Sequence, residues 1–200
     1  MSIVQEKRAP ILRLCYGAAL LALGLILPQV VHGIGLGIQL SPMHIPVLLA
    51  GIICGPYLGA IIGLILPLIS CVFFGMPPIF MAVPMSFELA AYALIAGLIF
   101  KFLPVFIKKN VHAELLTRSY ISLIIAMLCG RAVYGLVMIK AIGLNPAKVG
   151  QSYTWTTFWG GLFADAWLAI ILQLILVPAI VYALYMAKFL PTYKRREKKS

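Results

Sequence analysis

The sequence predicts an all-α membrane protein, a bundle of six transmembrane helices. Of its 200 residues, 63% are hydrophobic and 10% are charged, against about 25% charged in an ordinary soluble domain. The hydrophobic residues form long continuous runs rather than the alternating pattern of a membrane β-barrel. This composition excludes a soluble globular protein and a disordered chain, because neither can carry so much apolar surface.

Five apolar runs are visible, and one of them is interrupted by Gly55-Pro56, a pair that favours a helix end. Dividing this run gives six spans, at about 11–32, 43–54, 57–74, 84–106, 119–139 and 157–187. A helix needs about 20 apolar residues to cross a bilayer. The second span is therefore short, and we expect it to be tilted inside the bundle or extended by irregular structure.

The basic residues favour two crossings for the interrupted run. Lys and Arg accumulate on the cytoplasmic side of membrane proteins, and two crossings place 13 of the 16 there, including Arg118. We therefore expect one six-helix domain over 1–187 with both termini cytoplasmic, and a basic tail at 188–200. Outer loops at about 33–42, 75–83 and 140–157 would cover an outward-facing pocket. The net charge of +11 does not indicate nucleic-acid binding, because the basic residues lie at the ends of apolar segments.

Three charged residues fall in the outer half of the predicted spans: Glu88, Arg131 and Asp165. Charge near the bilayer centre costs at least ~2.5 kcal/mol. All three lie within about 6–12 Å of the outer end of their span, at the level where His44 begins the second span, and we expect no comparable charge in the inner half. They form either an internal salt bridge or an outward-facing site in which Arg131 binds an anionic or carbonyl-rich ligand.

Aromatic and methionine side chains accompany these charges at helical spacing. Tyr92 follows Glu88 by four residues, and Tyr134 follows Arg131 by three. Ordinary packing and an interfacial aromatic belt are the alternatives. The candidate substrate-binding residues are Gln39, Met43, His44, Glu88, Tyr92, Arg131, Tyr134, Trp159 and Asp165.

Small residues recur at fourfold spacing, which lets membrane helices approach closely. Examples are Ala18 and Ala22 in the first span and the series Gly51, Gly55, Gly59 and Gly63. Each pair serves either packing within the bundle or docking onto another membrane subunit. The chain has no GxxxxGK[ST], HExxH or GxSxG motif and no metal-ligand spacing. We therefore expect no enzyme activity, no bound cofactor and no metal.

Several segments resemble the substrate-binding S component of energy-coupling factor (ECF) vitamin transporters. They are Leu27-Pro28-Gln29, residues 41–51 (SPMHIPVLLAG), Gly55-Pro56, Gly75-Met76-Pro77-Pro78, residues 88–92 (ELAAY) and Gly130-Arg131. The resemblance extends over residues 11–185. It rests on the order of these segments rather than on a single motif.

The resemblance implies a six-helix plasma-membrane protein of a prokaryote that captures a vitamin near its outer face. Its partners would be a scaffold membrane subunit and two ATP-binding subunits, which hydrolyse the ATP. Ala18 and Ala22 match the family's Ala-xxx-Ala surface for the scaffold. Pantothenate-type members are the most similar, and a pyridoxine, hydroxymethylpyrimidine, folate or cobalamin type ligand stays open.

Two other classes stay open from the residues alone. One is a stand-alone secondary transporter in which Glu88 or Asp165 couples protons to uptake. The other is an intramembrane enzyme with His44 and Glu88 as acid and base.

Overall fold

In a computed structural model of the protein, residues 3–33, 42–103, 111–144 and 167–187 are described, and they contain six helices. These helices are α1 (Ile3–Gly33), α2 (His44–Ile53), α3 (Pro56–Phe74), α4 (Ile79–Phe102), α5 (Val111–Leu144) and α6 (Trp167–Met186). Five are long and apolar enough to cross a membrane, and α2 is shorter. The all-helical class is confirmed for the described residues. The sixth crossing and the cytoplasmic termini stay predictions.

The short helix α2 lies at the centre of the bundle. All ten of its residues are buried, and it contacts α1, α3, α4 and α6. A ten-residue helix is about 15 Å long, roughly half the hydrocarbon thickness. Its neighbours, rather than lipid, surround its apolar side chains.

The break between α2 and α3 lies at the predicted Gly55-Pro56 pair. Gly55 has a φ of 103°, which costs glycine little because it has no Cβ. Pro56 begins α3, where its missing N–H would have no partner within the helix. The sequence therefore predicted this break for the physical reason that produces it.

Glycines bring α2, α3 and α4 into backbone contact. A Cβ at Gly51 would overlap the carbonyl group of Ala93, and a Cβ at Gly63 would lie 2.6 Å from the backbone of Leu89. At these positions the fourfold spacing serves packing within the chain, which is one of the two predicted alternatives.

Contacts between α1 and α3 show that these helices run in the same direction. Gly17 lies beside Ile62, and Gly24, further along α1, lies beside Leu66, further along α3. Because α2 connects back between them, the path from α1 to α3 alternates in direction. The side of the membrane on which each end lies stays a prediction.

The helix α4 begins earlier than the sequence predicted. Its first N–H donors, Met81 and Ala82, bond the carbonyl oxygen of Pro78 at 2.8 and 2.9 Å. The prediction began this span at about residue 84, and Pro84 lies inside the helix. The predicted outer loop at 75–83 is therefore wrong in extent. Glu88 lies about 14 Å along the axis from Ile79, deeper than predicted.

The helix α5 also begins earlier and continues further than the predicted span at 119–139. Its apolar segment begins at His112, and Arg118, predicted to lie in a cytoplasmic segment, is 2% exposed. Arg118 Nε lies 2.8 Å from Glu114 Oε1. This end of α5 is opposite to Arg131, so a buried charge pair lies where the sequence predicted a cytoplasmic segment. The expectation of no comparable charge in the inner half stays a prediction. The loop predicted at 140–157 begins inside α5, and its remainder lies outside the described residues.

Candidate functional site

Four of the predicted site residues meet in the interior of the bundle. His44 is the first residue of α2, Glu88 and Tyr92 lie one turn apart on α4, and Arg131 lies in α5. Three separate helices therefore build one polar cluster, which we call the Glu88 cluster.

A single carboxylate oxygen is the centre of the Glu88 cluster. The Tyr92 hydroxyl donates a hydrogen bond of 2.8 Å to Glu88 Oε1. Arg131 Nε lies 3.5 Å from the same oxygen, and His44 Nε2 lies 3.8 Å from it. The last two distances exceed the roughly 2.7–3.2 Å of N–H···O hydrogen bonds, so these two contacts are mainly electrostatic.

The four residues differ in how much of each side chain is exposed, and therefore in how accessible each is to a ligand. The side chains of His44 and Glu88 are each 3% exposed, and Tyr92 is fully buried. The Arg131 side chain is 17% exposed. In this arrangement Arg131 is the most exposed member of the cluster.

The arrangement combines the two interpretations of the membrane charges. Arg131 and Glu88 form an ion pair, as the salt-bridge interpretation expected. The guanidinium has five N–H donors in a fixed fork, and its contact with Glu88 involves Nε. The terminal nitrogens have the geometry to bind a second carboxylate or a carbonyl group in bidentate fashion.

The remaining predicted site residues have different surroundings. Met43 is buried in the hydrophobic core next to His44. Tyr134 is half-buried and lies one helical turn after Arg131. Gln39, Trp159 and Asp165 lie outside the described residues, so their places in the site stay predictions.

The sequence reasoning missed one residue that contacts this cluster. A Cβ at Gly130 would overlap Cδ1 and Cε1 of the Tyr92 ring. The sequence analysis noted Gly130 only in the Gly130-Arg131 segment of the family resemblance, and no pattern could show that Tyr92 is the contacting residue. Such a contact depends on how α4 and α5 pack.

A bundle of apolar helices that holds one charged cluster between three of them defines a multi-pass membrane protein with an internal polar site. Residues 13–181 match the family model described as ECF transporter, substrate-specific component. The match covers most of the chain, and the chain belongs to this family. Comparison with curated proteins and with solved structures finds no match.

Membership confirms the predicted resemblance at the level of the family. The family comprises the substrate-specific components of transporters that work with an ECF module, and it is not an enzyme family.

Proposed function

We propose that the protein captures a carboxylate-bearing vitamin, best represented by pantothenate, at the Glu88 cluster and passes it to an ATP-driven module. The observation that carries this proposal is the partial exposure of Arg131, at 17% of its side chain, beside a buried carboxylate. Family membership supplies the transport context, and the pantothenate-type sequence segments supply the choice of vitamin.

The charges of the cluster support an acceptor-bearing ligand. Glu88 and Arg131 neutralise one another, and Glu88 Oε1 already faces three donors. The Arg131 terminal nitrogens are further donors, and they suit a carboxylate or carbonyl oxygen. An amine-bearing or neutral ligand of the pyridoxine or hydroxymethylpyrimidine type would bind Glu88 or Asp165 instead and leave Arg131 structural. Folate and cobalamin type ligands stay within the proposal as larger alternatives.

The first test of this proposal identifies the small molecule that copurifies with the protein in detergent, by mass spectrometry. Titration calorimetry with pantothenate then measures affinity. Bound pantothenate supports both the substrate and the role of Arg131. A bound amine or neutral vitamin contradicts the role of Arg131 and keeps the transport role.

The exposed face of α1 supports docking to a partner. Ala18 and Ala22 are both exposed, while Gly17 on the same helix faces Ile62 of α3. Small side chains on an outward face let another membrane helix approach closely. We propose that this face contacts the scaffold subunit of a module with two ATP-binding subunits, in the plasma membrane of a prokaryotic cell.

Substituting tryptophan at Ala18 and Ala22 tests the docking face. We expect pantothenate affinity to be unchanged and uptake into cells that contain the module to be lost, because the larger rings hold the partner helix away. The matched control is Leu23→Trp, since Leu23 is also exposed but points about 100° or more away from both alanines around the helix. The control should keep uptake.

Retained uptake in the Ala18→Trp, Ala22→Trp variant would place the docking face elsewhere.

An uptake measurement with the purified chain separates the two classes of transporter. Uptake driven by a pH gradient into vesicles that contain this chain alone would contradict the module and favour a proton-coupled secondary transporter.

A further inference from the structure

The residue immediately before Arg131 is a glycine that lies against the ring of Tyr92. A Cβ at Gly130 would overlap Cδ1 and Cε1 of that ring and would lie 3.1 Å from its Cγ. Real side chains do not reach such separations, so the ring occupies space that any other residue at this position would need. The backbone of α5 at Gly130 is therefore in direct contact with the Tyr92 ring of α4.

The Tyr92 ring has little freedom to move away from Gly130. Tyr92 is fully buried, and the His44 ring of α2 lies 5.3 Å from it between ring centroids, at an interplanar angle of 59°. His44 belongs to a helix that is itself buried over its whole length. A Cβ at position 130 must therefore displace the ring or separate the helices.

The position of the ring determines where its hydroxyl lies. That hydroxyl donates to Glu88 Oε1 at 2.8 Å, and Arg131 Nε approaches the same oxygen. Displacement of the ring removes the hydrogen bond that Tyr92 donates to Glu88. The Glu88 carboxylate then interacts more strongly with the Arg131 guanidinium. The donors of Arg131 become less available to another acceptor.

We infer that Gly130 is a positioning residue of the binding site. Because it has no side chain, the Tyr92 ring can lie where its hydroxyl donates to Glu88, and the terminal nitrogens of Arg131 are then left to the ligand. This inference rests on the proposed function in assigning Arg131 to the ligand. The positioning of Tyr92 itself does not depend on which ligand binds.

The first experiment measures the position of the Tyr92 hydroxyl without ligand. The full-length Gly130→Ala protein is labelled with ¹³Cζ-tyrosine, and the Tyr92 resonance is assigned by its loss in Tyr92→Phe. We expect this resonance to shift in Gly130→Ala, because its hydrogen bond to Glu88 is altered. The control is Gly17→Ala, whose Cβ would meet only the flexible end of Ile62 at 3.1 Å. An unchanged Tyr92 resonance in folded Gly130→Ala overturns the inference.

The second experiment asks whether Gly130 acts through that hydroxyl. We expect Gly130→Ala and Tyr92→Phe each to weaken pantothenate binding by about tenfold, as expected for loss of one hydrogen bond to a charged group. The double variant should be no weaker than Tyr92→Phe alone, since the hydroxyl is already absent. Losses that multiply to about a hundredfold would show that the two residues act independently and would overturn the inference.

Two results separate this inference from the proposed function. If the wild-type protein does not bind pantothenate, the proposed substrate fails, while the ¹³C measurement still decides the role of Gly130. If Gly130→Ala does not fold, the added change Tyr92→Ala should restore a monodisperse protein, because the obstructing ring is gone. Failure of that rescue, where Tyr92→Ala alone gives a monodisperse protein, contradicts the contact on which the inference depends.

Discussion

The two buried charged groups in the part of the chain that the structure describes are built in different ways. The Glu114–Arg118 pair lies within one turn of α5, with 2.8 Å between Arg118 Nε and Glu114 Oε1. The Glu88 cluster joins residues of three helices, and its Arg131 and His44 contacts are 3.5 and 3.8 Å long. The two arginines, Arg118 and Arg131, are about 20 Å apart along the same helix.

This difference indicates different roles. Residues four apart on a helix meet through local geometry alone, so the Glu114–Arg118 pair forms whenever α5 forms. Its arginine is 2% exposed, so solvent does not reach this pair. The Glu88 cluster requires α2, α4 and α5 to pack correctly. Its looser contacts and partly exposed Arg131 suit a site that exchanges partners with a ligand.

The largest effect is expected from Glu114→Ala. The substitution leaves Arg118 buried without its carboxylate, and arginine does not lose its proton in proteins. Breaking a buried pair in this way costs about 3–5 kcal/mol of unfolding free energy. Unfolding in mixed detergent micelles measures this loss, and pantothenate affinity of the folded fraction should be unchanged.

A double variant sharpens that test. Replacing both members with apolar residues of similar volume, Glu114→Leu with Arg118→Met, removes the charges together, and such exchanges are often neutral or stabilising. We expect wild-type stability. A stable Glu114→Ala protein with impaired pantothenate binding would instead show that the Glu114–Arg118 pair, like the Glu88 cluster, contributes to binding. That result would contradict the assignment of this pair to structure alone.

The helices were predictable where local chemistry determines them. Continuous apolar runs predicted the helical class, and Gly55-Pro56 predicted the break between α2 and α3. The start of α5 was not predicted, because Arg118 was assigned by the tendency of basic residues to lie in cytoplasmic segments. The spacing of Glu114 and Arg118 was visible in the sequence. Only burial shows that the charges neutralise one another inside the bundle.

The sequence predicted which residues belong to the site better than it predicted which of them contact one another. Intramembrane charge singled out Glu88 and Arg131, and helical spacing added Tyr92. Whether Arg131 pairs with Glu88 or Asp165 depends on helix packing, which a single sequence does not specify. For the same reason the contact between Gly130 and Tyr92 could not be predicted.

The second largest effect is expected from Arg131→Ala, on ligand binding. Loss of the guanidinium leaves a ligand carboxylate without its partner, which should weaken pantothenate binding by roughly 2–5 kcal/mol in calorimetry. Stability should fall less than in Glu114→Ala, because Glu88 keeps the hydrogen bond from Tyr92. Arg131→Lys should be intermediate, since it keeps the charge and loses the fork. Unchanged affinity in a folded Arg131→Ala protein would reject the binding role.

The smallest effect is expected from Tyr92→Phe. This change removes the hydroxyl that donates to Glu88 Oε1 and keeps the buried ring in place. Loss of one hydrogen bond to a charged group should weaken pantothenate binding by about 1.5 kcal/mol. The matched control is Tyr120→Phe on α5, where the tyrosine is 41% exposed, and it should bind as the wild type does. Because the hydroxyl supports Arg131 through Glu88, its loss should add little in an Arg131→Ala background. Full additivity there would mean that Tyr92 contacts the ligand by a separate route, and the cluster would then be a set of independent contacts rather than a support for one arginine.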